Sequence, residues 1–178
     1  VGSEMCIRDR DKNVSIMNIG SMGYLPQVFK KIENEKKLNI VYLGGSITMG
    51  CNATKTELRY VDRSAKWWRT NFPEAEISYF NAGIGATTSQ FGVARVQEHV
   101  LDKQPDLVFV EFSVNDSSSP LFMETYESLV RRLLKAESVK AVVLINNLFY
   151  DTGTNAQGIH NAVGLHYDLP IVLSLIHI

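Results

Sequence analysis

The chain holds 178 residues with a formal net charge of -1, 45% hydrophobic and 21% charged, the composition of one soluble globular domain large enough to bury its own core. So small a charge supplies no basic field for nucleic acid or an anionic membrane. The longest apolar runs, such as residues 141–145, fall far short of the ~20 residues that span a bilayer. Cys6 and Cys51 form no metal-ligand spacing and leave the redox compartment open, so each reads as an incidental thiol, and no metal or cofactor is implied.

In chain order, a leading helix is predicted over residues 24–35 and a buried strand over 39–43, followed by the loop GGSITMG. Val61, Ala65, Trp68 and Phe72 recur at helical spacing, with Trp68 expected in the core and Trp67 partly exposed. A second strand at 77–81 leads into AGIGATTS, and Val93, Val96 and Val100 mark the next helix. A third strand at 107–112 leads into SVNDSSS, and Tyr126, Leu129, Leu133 and Leu134 mark another helix. A fourth strand at 141–146, a polar stretch at 147–158, a helix at 156–166 and a fifth strand at 170–173 complete the pattern.

Short, continuously apolar strands alternating with helices predict an α/β fold: a three-layer α/β/α sandwich around a five-stranded parallel sheet. The layout is flavodoxin-like, with strand order 2-1-3-4-5. Ligands of such sheets bind beyond the carboxyl ends of the strands, so the four loops named above are the place to look for chemistry.

The two ends, VGSEMCIRDR and LSLIHI, resemble translated sequencing-adapter sequence. The expectation is a domain over residues 11–172, with 1–10 and 173–178 non-native.

Gly44 and Gly45 permit a sharp turn that projects Ser46 from the end of the first strand, and Thr48 offers a hydroxyl to brace the loop. A plain glycine-rich turn and a phosphate cradle remain alternatives, although no phosphate-binding glycine motif is met. The glycines of the second loop can free a backbone N–H, and Thr87 to Ser89 can cap the following helix. In the third loop Asn115 carries uncharged amide donors, and Asp116 suits an Asx-type turn. Glu111, inside an apolar strand, needs a buried partner; a loop hydroxyl, Arg59 or Arg95 is expected. Asn146, Asn147 and the stretch 149–158 face the same side and are candidates to touch substrate.

Together GGSIT, the glycine-rich second loop and SVND resemble the successive blocks of the SGNH/GDSL hydrolases. Gly45 stands where that family commonly has Asp, and Ser113 where it has Gly. The resemblance implies a serine esterase that forms an acyl-enzyme. Ser46 is then the nucleophile, with the Ser46 and Ala86 N–H groups and the Asn115 amide stabilising the oxyanion. Ala86 replaces a family glycine, so its N–H is expected to serve provided φ stays negative. Gly45, Gly85, Asn147 and His160 are expected around the substrate. The implied substrate is a small-molecule or carbohydrate ester, with an O-acetyl group on a sugar by analogy.

The family's base belongs to a late D-x-x-H block, and no such block occurs here. His99 is expected on the solvent side of its helix, His166 at the wrong edge of the sheet and His177 in the foreign end; His160 faces the site but precedes the family's position. The chain is therefore expected to be an inactive piece of an active parent. A non-catalytic α/β module for a small ligand is the competing reading. The oligomeric state is not legible.

Overall fold

The computed structural model, which describes residues 15–149 and 155–176, gathers every predicted strand into one sheet. Cys6, His177 and residues 150–154 of the polar stretch lie outside the described residues. The strands are β1 (Ile16–Asn18), β2 (Lys37–Gly44), β3 (Glu76–Gly83), β4 (Leu107–Glu111), β5 (Ala141–Phe149) and β6 (Ile171–Ile176). Their order is β1-β6-β5-β4-β2-β3. With β1 set aside this is the expected 2-1-3-4-5, and β2 to β6 pair in parallel.

The sheet has six strands rather than five, because β1 pairs antiparallel with β6 through Ile16↔Val172 and Asn18↔Ile171. Three residues with exposed Ile16 and Met17 carry no alternation to read. The β5–β6 ladder also continues beyond Val172, through Asn147↔Ser174 to Phe149↔Ile176.

Helices α1 (Leu25–Glu35) and α3 (Tyr60–Asn71) cover one face of the sheet. There Val28, Ile32, Val61 and Trp68 pack on Ile40, Tyr42, Leu107 and Val143. The other face carries α4 (Ser89–His99), α5 (Pro120–Leu134) and α6 (Gln157–His166), whose Val96, Leu129, Leu133 and Val163 meet Val41, Leu43, Val110 and Leu144. Successive strand residues thus feed two cores, which is why the strands read as unbroken apolar runs. Full burial of each such Val or Leu stabilises the fold by roughly 1.5–3 kcal/mol. Trp68 is in the core and Trp67 is half-exposed, as expected. The layers leave the ends of β2, β3, β4 and β5 open at one edge, where the loops of interest gather.

Candidate active site

Beyond Gly44 the chain turns into a four-residue helix, α2 (Ser46–Met49), with Ser46 as its first residue. Gly45 N–H donates to the Glu111 carbonyl at 3.3 Å, tying the turn to β4. A Cβ on Gly44 would stand 2.0 Å from Thr48 Oγ1, so only glycine lets Thr48 fold back over the strand end. Buried Thr48 donates to Glu111 Oε2 at 3.0 Å and lies 2.9 Å from the Tyr60 hydroxyl. Glu111 therefore takes the loop hydroxyl as its partner, not Arg59 or Arg95. Burial pushes the Glu111 carboxyl above its ordinary value, against the hydrogen bonds it receives. The Asn147 amide lies beside it, yet Glu111 Oε1 and Asn147 Nδ2 both lack a hydrogen bond of good geometry.

The second loop is held against the first. Asn81 Nδ2 donates to the Thr48 carbonyl at 2.8 Å. A Cβ on Gly83 would meet Met49 N at 2.2 Å, so α2 rests directly on the end of β3. Gly85 faces the Met49 side chain rather than the cleft around Ser46. Ala86 has φ 56, so the negative φ on which its N–H was to serve is not met. This left-handed backbone costs alanine roughly 1–2 kcal/mol.

Thr88 occupies the N-cap of α4 without a side-chain bond. The cap comes from the third loop, where Asp116 Oδ1 accepts the Ser89 N–H at 2.8 Å. Asp116 thus bonds between loops instead of within its own turn. Next to it, Asn115 Oδ1 lies 2.9 Å from where a Gly45 Cβ would stand, so the amide sits against the residue preceding Ser46. The three loops converge on one side of one sheet edge. Ser113, in place of the family's glycine, is buried and ties β4 to β5: its hydroxyl accepts the Asn147 N–H at 2.6 Å and donates to the Asn147 carbonyl at 2.9 Å.

Arg95 stands behind the convergence, with 6% of its surface exposed. Its guanidinium donates to the carbonyls of Ala82 at 2.6 Å and Gly44 at 3.2 Å, gathering the ends of β3 and β2. Burial lowers its pKa.

His160 does not line the cleft. It is fully buried, with Nε2 3.0 Å from Asp116 Oδ2 and its ring stacked on Tyr126 at 3.6 Å. Burial lowers its pKa, opposed by the Asp116 carboxylate. His99 approaches Arg95, and His166 is exposed at the end of α6. Among the described residues no histidine hydrogen-bonds Ser46.

A cleft of about 450 Å³ opens beside Ser46, with Asn147, Ile47, Cys51, Arg59, Tyr60, Ile145 and Val172 in its walls. Arg59 and Tyr60 escaped notice as cleft residues because they begin a helix and carry no motif. Among the described residues no cluster of His, Cys, Asp or Glu could hold a metal ion, and no helix is long and apolar enough to cross a membrane.

The sequence model of the GDSL-like Lipase/Acylhydrolase family matches residues 42–167. No curated protein matches the chain. Among solved structures, a two-domain esterase (CEX) active on acetylated mannans superposes with a TM-score of 0.87 at 48% identity, over 89% of this chain and 43% of that one. The chain thus spans less than half the length of that esterase. AlinE4, an SGNH-hydrolase family esterase, aligns at TM-score 0.62 and 21% identity, over 76% of this chain and 75% of that one. A catalytic mutant of Axe2, an acetylxylan esterase from Geobacillus stearothermophilus, aligns at 0.62 and 17%, over 75% and 74%. These last two likenesses show the fold.

Proposed function

The chain belongs to the GDSL-like lipase/acylhydrolase family, and on that premise we propose that it is the nucleophile-bearing core of an esterase that removes acetyl groups from a carbohydrate. The single observation that carries this reading is the convergence of Ser46 and Asn115: the Asn115 amide packs against Gly45, the residue before the serine, and Ser46 itself lines an open cleft.

In the proposed reaction Ser46 Oγ attacks the ester carbonyl and forms a tetrahedral intermediate. This reading assigns its oxyanion to the Ser46 N–H, the Ala86 N–H and the Asn115 amide, donors of the kind that stabilise developing negative charge. Collapse expels the sugar alcohol and leaves an acetyl-enzyme, which water then hydrolyses. A neutral serine hydroxyl is a weak nucleophile, and a base must take its proton. His160 is buried, lies outside the cleft walls and makes no bond to Ser46, so this reading takes the base from outside the described residues, in the Asp-x-x-His block that the resemblance implies. The sugar-acetate preference is supported by the 48% identical esterase active on acetylated mannans.

The test is hydrolysis of p-nitrophenyl acetate by the chain alone and by a longer chain that carries such a block. The longer chain should turn over and lose activity in Ser46→Ala. The chain alone should fall toward the ~10³–10⁴-fold enhancement over water left when triad members are missing. Equal Ser46-dependent turnover by both would overturn the assignment of the base. Failure of the longer chain to hydrolyse or to be phosphonylated at Ser46 would favour a non-catalytic binding module.

A further inference from the structure

We propose that Glu111, acting through Thr48, is a positioning residue for Ser46. The buried carboxyl fixes the rotation of the turn that carries the serine and so aims its hydroxyl into the cleft. The proposal rests on the esterase reading above and adds to it what orients the nucleophile.

The turn cannot orient itself. α2 has four residues, Ser46–Met49, and isolated helices shorter than about 12–15 residues are marginal in water. Its direction is therefore set by bonds from neighbouring elements. Successive helical residues are rotated by about 100°, so the Ser46 and Thr48 side chains leave the axis about 200° apart. Thr48 has no exposure, and its hydroxyl turns inward to Glu111 Oε2 at 3.0 Å. Ser46 then faces the other way, where it lines the cleft. One inward bond thus decides where the serine points.

The bond has a fixed sense. A carboxylate only accepts, so Thr48 gives its proton to Glu111 and accepts that of the Tyr60 hydroxyl at 2.9 Å. The chain Tyr60, Thr48, Glu111 runs one way, from the cleft wall to the interior. Hydrogen bonds to an ionised acceptor are roughly twice as strong as neutral ones. The Thr48 carbonyl is held separately by Asn81 Nδ2 at 2.8 Å, so β3 and β4 grip the same residue.

Glu111 is a costly way to fill a core. It is fully buried at the end of β4, whose other residues are apolar, and replacing a buried charge by an apolar residue of similar volume often leaves a fold as stable or more so. Its bonds to the turn explain why it is there. Burial raises its pKa, opposed by hydrogen bonds that include those from the Thr48 hydroxyl and the Gly45 and Thr48 N–H groups.

The experiment measures kcat and KM for p-nitrophenyl acetate in the longer chain that carries an Asp-x-x-His block, below the melting midpoint of each variant. Thr48→Val keeps the shape and removes the hydroxyl. It should lower kcat about tenfold to a hundredfold, as a small misplacement of a reacting group does. KM should stay nearly unchanged, because neither Thr48 nor Glu111 lines the cleft. Thr48→Ser keeps a hydroxyl and should recover most of the loss. A merely stabilising pair would lower the melting midpoint of Thr48→Val without moving kcat. Glu111→Gln, of the same shape with one accepting oxygen in place of two, is the second variant should Thr48→Val fail to fold, and its kcat should fall in the same way. Unchanged kcat in a folded variant, a loss carried mainly by KM, or no recovery in Thr48→Ser overturns the proposal and leaves the esterase reading intact. Failure of both variants to fold also overturns it, since the pair then supports the fold alone. Absence of Ser46-dependent turnover in the unsubstituted longer chain sinks the esterase reading itself, and this proposal with it.

Discussion

Asp116 Oδ2 stands 3.0 Å from His160 Nε2, with neither side chain exposed. Its other oxygen caps α4 through the Ser89 N–H. One carboxylate thus joins the Asn115 loop to α4 and α6, fixing the elements that flank the proposed oxyanion site.

This pair sets an acid limit on stability. Burial lowers the folded His160 pKa below its ordinary 6.5, so the unfolded chain binds the proton more tightly. The contribution is therefore fully present above pH 6.5 and is lost as pH falls through the lower folded value. The thermal midpoint should drop on acidification from about pH 7.5 to 5.5. In His160→Phe, which keeps the stack on Tyr126 but cannot titrate, the drop should be shallower. Thermal melts across that range check it; an unchanged slope would show that His160 does not govern acid sensitivity.

Ala86→Gly should raise stability, the reverse of the usual effect of removing a methyl. The left-handed backbone at φ 56 strains alanine by roughly 1–2 kcal/mol, whereas glycine adds roughly 0.4–1 kcal/mol of chain entropy to the unfolded state. The difference favours the variant by about 0.5–1 kcal/mol. Urea denaturation reads this directly, and a loss of stability would contradict the strained geometry.

Arg95→Met should be destabilising although it fills the same apolar stem. It removes the guanidinium bonds to the carbonyls of Gly44 and Ala82, leaving Gly44 with the Ile84 N–H alone, and a lost hydrogen bond to a charged group costs roughly 1.5–3 kcal/mol. Because those carbonyls end β2 and β3, the first two loops should also loosen. Amide exchange at Gly45 to Thr48 and at Ile84 should accelerate with the fall in midpoint. Unchanged exchange there would make Arg95 a general stabiliser with no part in holding the loops.

Much of the architecture was legible because it rests on local pattern. Short continuous apolar runs at 39–43 and 107–112 suit strands covered on both faces, and their alternation with helices leaves few topologies. β1 was not legible, since three exposed residues gain their structure only from pairing with β6. The cap of α4 was read into Thr87 to Ser89 because local capping is the usual solution, whereas the carboxylate that does it lies 27 residues away.

The amino-acid sequence by itself determined the layered fold, the order of its parallel strands and the three loops that carry Ser46, Ala86 and Asn115, because periodicity and turn chemistry act between neighbours along the chain. Only the tertiary structure decided that His160 turns inward to Asp116, that Glu111 takes Thr48, and that Ala86 bends to positive φ. Each of those outcomes depends on which buried polar group finds a partner across space, and no local pattern records that choice.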